Sequence, residues 1–179
     1  MPKPRHRVSS EGPAPYEVPG PMTTAEHIPA APQIQDAIIA SALAILRDRM
    51  LPANAPTLCS PEQTRAFLKL KLALLDYESF CVLYLDQQHR VLAFEHLFKG
   101  TLTSASVYPR EVLKAVLDKG AAAVLFAHNH PSGRPTPSEA DNLITERLKT
   151  ALGYIDVRVL DHIIIGGANY YSYAENGEI

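Results

Sequence analysis

Seven consecutive apolar residues, Ala121 to Ala127 (AAAVLFA), leave no polar position that could turn toward water. Read as extended backbone, they form a strand buried on both faces. Such a strand belongs to the interior of a sheet that is covered on both sides. The chain is thereby directed to an α/β architecture, a mixed α+β sheet flanked by helices.

The flanking patterns supply the other elements. Ile34, Ile38, Ile39, Leu43, Ile45 and Leu46 recur at helical spacing, which predicts an amphipathic helix over 34–50 that Pro52 and Pro56 end. Ser60-Pro61-Glu62-Gln63 is a helix start, with Ser as N-cap and Pro at the first helical position. The helix it opens turns Phe67, Leu68, Leu72 and Leu75 inward. Ser79–Leu85 (SFCVLYL) and Val91–Phe98 (VLAFEHLF) read as strands joined by the polar turn Asp86–Arg90, hence a hairpin. Pro109 opens a further helix that Gly120 closes, and Ser138-Glu139-Ala140-Asp141 opens another that Gly153 stops. Val157–Ile165 and Tyr170–Tyr173 complete the sheet, joined through Gly166-Gly167.

Eight of the fifteen prolines fall in residues 1–33, which contain no Leu and no Phe. A segment of that composition buries too little apolar surface to offset its ordering entropy, so it reads as a disordered tail. The division expected is a tail over 1–33, a helical segment over 34–75 and one domain over 76–179. No apolar run reaches the roughly 18–20 residues of a membrane span, and the Pro-rich start lacks the apolar segment of a secretory signal. Two cysteines, Cys59 and Cys81, are too few for a disulfide framework or a four-thiolate site. The expectation is a cytoplasmic protein of a reducing compartment. A net charge of −2 and a pI near 6.4 disfavour nucleic acid as a partner.

The segment His128 to Asp141 (HNHPSGRPTPSEAD) departs from packing logic. In extended backbone, positions i and i+2 point to the same side, so His128 and His130 can face one point. Asp141 follows in the first turn of the next helix, where strand end and helix start meet at the rim of a sheet. Two imidazoles and a carboxylate form a three-ligand zinc set with a fourth position for water. A carboxylate base completes such a site, and Glu95, inside the apolar strand VLAFEHLF, is the candidate. Ser138 is placed to donate to a developing oxyanion. Asp161-His162 is a candidate pair to support the metal from behind, although an internally hydrogen-bonded core histidine is the plainer reading. His96 alternates against Glu95 and points to the opposite face.

His128 to Asp141 reads H-x-H-P-x-G-x-x-x-P-S-x-x-D, with a glutamate upstream. This resembles the JAMM signature of the JAB/MPN metallopeptidases. HNHPSG, PTPSEAD, DHIIIG and the upstream E-x-L-F-x-G-T are similar to the bacterial RadC-like branch. The resemblance covers roughly Phe80 to Ser172. It implies a JAB/MPN-like (cytidine-deaminase-like) domain, with zinc held by His128, His130 and Asp141, Glu95 as general base and Ser138 as oxyanion donor. It also implies hydrolysis of peptide or isopeptide bonds in a protein or peptide substrate. The alternative it carries is a RadC-like, DNA-repair-associated factor with an ancillary zinc site. Residues 34–75 are too short to hold the helix-hairpin-helix of longer RadC proteins, which weighs against that alternative.

Overall fold

The computed structural model describes residues 31–50, 60–100 and 107–179, with side chains throughout except at 47–50. Nearly all of the expected tail, together with Pro52, Pro56 and Cys59, lies outside the described residues. The helices are α1 (Pro32–Met50), α2 (Pro61–Leu72), α3 (Pro109–Lys119) and α4 (Glu139–Gly153). The strands are β1 (Ser79–Leu85), β2 (Val91–Lys99), β3 (Ala123–Asn129), β4 (Arg158–Gly166) and β5 (Asn169–Ser172). They form one mixed sheet in the order β2-β1-β3-β4-β5, in which only β3 and β4 run parallel.

The central strand lies two residues later than its apolar run suggests. Ala121 and Ala122 are a connector, and His128 and Asn129 belong to β3. Asn129 makes this extension stable. Its side-chain oxygen accepts from the Ser79 amide at 2.9 Å, and its amide donates to the Tyr77 carbonyl at 2.8 Å. Polar groups beyond the apolar run are thus paired within the sheet.

Alternation along the strands builds two cores. Phe80, Val82, Tyr84, Val124 and Phe126 meet Val112 and Val116 of α3 and Ile144, Leu148 and Leu152 of α4. On the other face, Cys81, Leu83, Leu85, Ala127, Ile163 and Ile165 lie beneath Phe67, Leu68 and Leu72 of α2. The Cys81 thiol is fully buried there, and that burial pushes its pKa up to about 12, so it is inert packing.

Helix α1 departs from its expected burial. It begins at Pro32, and among its apolar side chains up to residue 46 only Ile39, Ala42, Leu43 and Leu46 are half-buried, while Ile34, Ile38 and Ile45 stand exposed. The second core is already closed by α2, so α1 adds a shallow outer layer rather than a full face.

Candidate metal centre

His128 and Phe126 share the α4 side of the sheet, which aims the last imidazole of β3 at the start of α4. His130 lies one step beyond the strand. Its amide donates to the Ile165 carbonyl at 2.8 Å and carries the β3–β4 ladder onward. The two rings meet with centroids 4.9 Å apart, as the i, i+2 spacing predicts. Asp141 enters from the third helical position of α4, where its carboxylate closes a capping box with Ser138.

The three side chains converge in a nearly closed place. His128 is fully buried, Asp141 is 2% exposed, and the His130 side chain retains 15%. His128 Nε2 lies 3.0 Å from His130 Nε2 and 3.1 Å from Asp141 Oδ1, and His130 Nε2 lies 3.4 Å from Asp141 Oδ2. Ligand atoms about 2.0–2.1 Å from a tetrahedral zinc stand about 3.3 Å from one another. The observed separations bracket that value. Among the described residues this is the one cluster of three such groups able to hold a metal ion.

The charges fit a cation as well. Burial raises the Asp141 carboxyl, but the two imidazoles that face it outweigh this and hold the group well below the usual carboxylate range. Burial pushes the His128 pKa down, which favours the neutral ligand form. The Asp141 hydrogen bond raises His130. Each imidazole is oriented by its other nitrogen. His130 Nδ1 donates to the Arg134 carbonyl at 2.8 Å, which leaves Nε2 as an electron-pair donor.

Ser138 stands at the rim of this group. Its backbone amide and hydroxyl donate to Asp141 Oδ2 at 2.7 and 2.6 Å, and its hydroxyl oxygen accepts from the Asp141 amide at 3.2 Å. Ser138 thereby engages Oδ2, which also faces His130, and leaves Oδ1 toward His128. The hydroxyl is adjacent to the three converging side chains.

Glu95 is not brought to the cluster. Its carboxylate accepts from Tyr84 Oη at 3.1 Å and pairs with Lys119 Nζ at 2.7 Å. Tyr84 is in register with Val124, near the start of β3, and Lys119 ends the helix that precedes β3. Glu95 is therefore anchored toward the opposite end of β3 from His128. The lysine hydrogen bond holds its carboxyl below the ordinary range. The cost of a charge in an apolar strand is met by this local pair.

A different carboxylate lies near the cluster. Glu78 directly precedes β1, and its carbonyl accepts from the Gly100 amide at 2.9 Å. Phe80 is in register with His128, and its ring stacks on the imidazole at 6.3 Å. The paired register ends there; continued by two residues, it would bring Glu78 level with His130. Its negative charge raises the pKa of both His128 and His130. Residue periodicity does not single out Glu78, because it falls in the polar stretch before a strand.

His162 is likewise fully buried beside the cluster. Its Nε2 lies 2.8 Å from His128 Nδ1, and its Nδ1 lies 2.6 Å from Thr145 Oγ1. Asp161 takes no part in this contact. Its carboxylate faces the other way, accepting from Ser172 Oγ at 2.6 Å, the His162 amide at 2.7 Å and the Ala174 amide at 3.0 Å. The candidate Asp161–His162 pairing is thus replaced by Thr145–His162, and His162 is the internally hydrogen-bonded core histidine of the plainer reading. Adjacent strand residues face opposite sides, so the two side chains cannot meet.

The model of the RadC-like JAB domain family matches residues 58–178. The chain belongs to that family. It is 56% identical over 125 residues to a UPF0758 protein of Leptothrix cholodnii, covering 70% of this chain and 56% of that protein. It is 51% identical over 140 residues to a UPF0758 protein of Vibrio cholerae, covering 78% of this chain and 87% of that one. A UPF0758 protein of Janthinobacterium is 53% identical over 123 residues, which are 55% of its length. The chain thus spans little more than half of some RadC-like relatives and most of another. Among the described residues, no helix is long and apolar enough to cross a membrane.

Proposed function

We propose that this RadC-like JAB domain is a zinc-dependent hydrolase of peptide or isopeptide bonds, with Glu78 as its general base in place of Glu95. The observation that carries the reading is the convergence of His128, His130 and Asp141 at tetrahedral ligand spacing, with the charge of Glu78 near enough to raise both imidazoles. Two imidazoles and one carboxylate are a catalytic donor set, because three protein ligands leave a coordination position open. A zinc ion there supplies an acidified water and a Lewis acid for a carbonyl oxygen.

The chain's own residues do the remaining work. His128 and His130 present neutral Nε2 atoms, and Asp141 presents Oδ1. Glu78, which the continued register would bring level with His130, stands at the half-exposed edge of the site, where a carboxylate can take a proton from water and return it to a leaving amine. Ser138, at the N-terminus of α4, can turn its hydroxyl proton from Asp141 Oδ2 to the carbonyl oxygen, where the helix-end field also favours developing negative charge. Burial of His128 and Asp141 keeps bulk water away from the ligand side.

The test compares Glu78→Gln with Glu95→Gln in zinc-loaded protein, using a mixed library of quenched-fluorescence peptides. Both substitutions are nearly isosteric. Glu78→Gln should retain zinc and lose about 10²–10⁴ in rate, the worth of a positioned general base. Glu95→Gln should stay within a few-fold of the wild type. The reverse pattern would return the base to Glu95. No cleavage by zinc-loaded wild type would remove the peptidase reading.

A further inference from the structure

The metal ligand His128 is backed by another imidazole instead of the carboxylate or carbonyl that usually orients such a ligand. This arrangement is ambiguous in principle. Each neutral imidazole has one N–H and one electron pair, so the contact between His128 Nδ1 and His162 Nε2 can run in either direction. Only one direction suits metal binding. If His162 Nε2 carries the proton, His128 must accept at Nδ1 and carry its own proton on Nε2, where the metal belongs.

We propose that Thr145 and His162 are positioning residues that set this direction and hold His128 in the tautomer able to bind metal. The inference rests on the zinc reading above. It starts at a hydroxyl whose proton is committed. Thr145 Oγ1 donates to the backbone carbonyl of Asp141 at 2.6 Å, and a carbonyl can only accept. Thr145 therefore has no proton for His162 and accepts from it, at 2.6 Å, which places the His162 proton on Nδ1. His162 Nε2 is then an electron pair. His128 must donate to it through Nδ1, at 2.8 Å, leaving its own Nε2 bare toward His130 and Asp141.

Packing keeps the chain of bonds in place. His162 and Thr145 are 0% and 1% exposed, so water has no room to substitute for a missing partner. Tyr173 stacks on the His162 ring, with centroids 5.1 Å apart and planes inclined by 9°. Tyr173 gives its own hydroxyl proton to Asn142 Oδ1 at 2.7 Å. A doubly protonated His162 would be a buried charge whose ring nitrogens face only a hydroxyl and an imidazole, which is costly. The chain of bonds also closes on itself, because Asp141 supplies both the carbonyl that fixes Thr145 and the carboxylate that faces the metal position. One turn of α4 thus carries a ligand and, four residues later, the group that sets the tautomer of another ligand.

The test uses full-length protein labelled with nitrogen-15 in histidine, as wild type, Thr145→Val and Thr145→Ser. Two-bond proton–nitrogen correlation spectra of the metal-free forms report the tautomer of each imidazole, and zinc affinity is read by competition with a chelator. Wild type should show His128 and His162 protonated at Nδ1. Thr145→Val, which keeps shape but loses the oxygen, should lose about 10–100-fold in zinc affinity and show His128 protonated at Nε2. Thr145→Ser should return both readings to within about threefold of wild type. The proposal is overturned if wild-type His128 carries its proton on Nε2, a result that needs no variant to fold. It is equally overturned if Thr145→Val keeps the wild-type tautomer and affinity. If wild type binds no zinc, the hydrolase reading fails, while the spectrum still decides the direction of the hydrogen bonds.

Discussion

The backbone of Pro135 passes so close to Gly166 that a Cβ at residue 166 would stand 2.5 Å from the Pro135 nitrogen and 2.7 Å from the Arg134 carbonyl carbon. The last residue of β4 is thus a seat for the loop that carries His130 to α4. This contact places the Arg134 carbonyl where His130 Nδ1 donates to it. Gly166→Ala should push the loop away, at about 1–3 kcal/mol of stability for an overpacked backbone contact. Zinc affinity should fall with it, since His130 loses its orienting acceptor. Thermal melts and chelator competition on this variant check both effects. An unchanged affinity would mean that Arg134 does not orient the ligand.

Ser138 has two jobs in this account, and they separate by substitution. As N-cap it accepts from the Asp141 amide, so Ser138→Ala should cost about 0.5–2 kcal/mol, whereas Ser138→Gly should cost only a few tenths. As a hydrogen-bond donor to the carbonyl oxygen it is lost equally in both. Melting midpoints should therefore differ between the variants, while peptide hydrolysis should fall by about 10²–10³ in each. Rates that follow stability would reduce Ser138 to a cap.

Acid should destabilise the metal-free protein in a defined window. The folded-state pKa values of His128 and His162 are depressed by burial, so the unfolded chain binds more protons below the ordinary histidine value of about 6.5. Stability contributed by these two groups falls as pH drops through that value. His130, raised by Asp141, works in the opposite sense, since its contribution is full below the unfolded value and is lost as pH rises through the folded one. The depressed Asp141 contributes only above the unfolded carboxylate value, so its share is lost at much lower pH. The windows do not overlap: His130 acts only above about 6.5, and below it His128 and His162 alone set the slope, up to about 1.4 kcal/mol per pH unit for each proton. Denaturant midpoints should fall from about pH 6.5 to about 5.5, and a flat profile there would contradict the neutral, buried state of His128 and His162.

Most of this architecture is written in local patterns. The two-faced burial of β3, the hairpin of β1 and β2, and the caps at Ser60, Ser138 and Gly120 all follow from residue type and period. The candidate metal ligands are legible because two of them sit at strand spacing and the third at a helix start. Glu95, Glu78 and Thr145 were not legible in the same way, since each depends on which strand lies beside which. Glu95 breaks an apolar pattern, yet the break is answered by Lys119 and Tyr84. Glu78 breaks no pattern and acquires its place only through the β1–β3 register. Thr145 looks like an ordinary helical residue until β4 brings His162 beneath it. The exposure of Ile34, Ile38 and Ile45 shows the same limit, because helical spacing reports an apolar face and not whether the core has room for it.

Calorimetric titration of zinc into metal-stripped protein tests the central claim most directly, with His128→Ala and Asp141→Ala measured beside the wild type. The account predicts one zinc per chain in the wild type and loss of that binding in both variants. A wild type that takes up no zinc, or variants that bind it with unchanged stoichiometry and affinity, would contradict it.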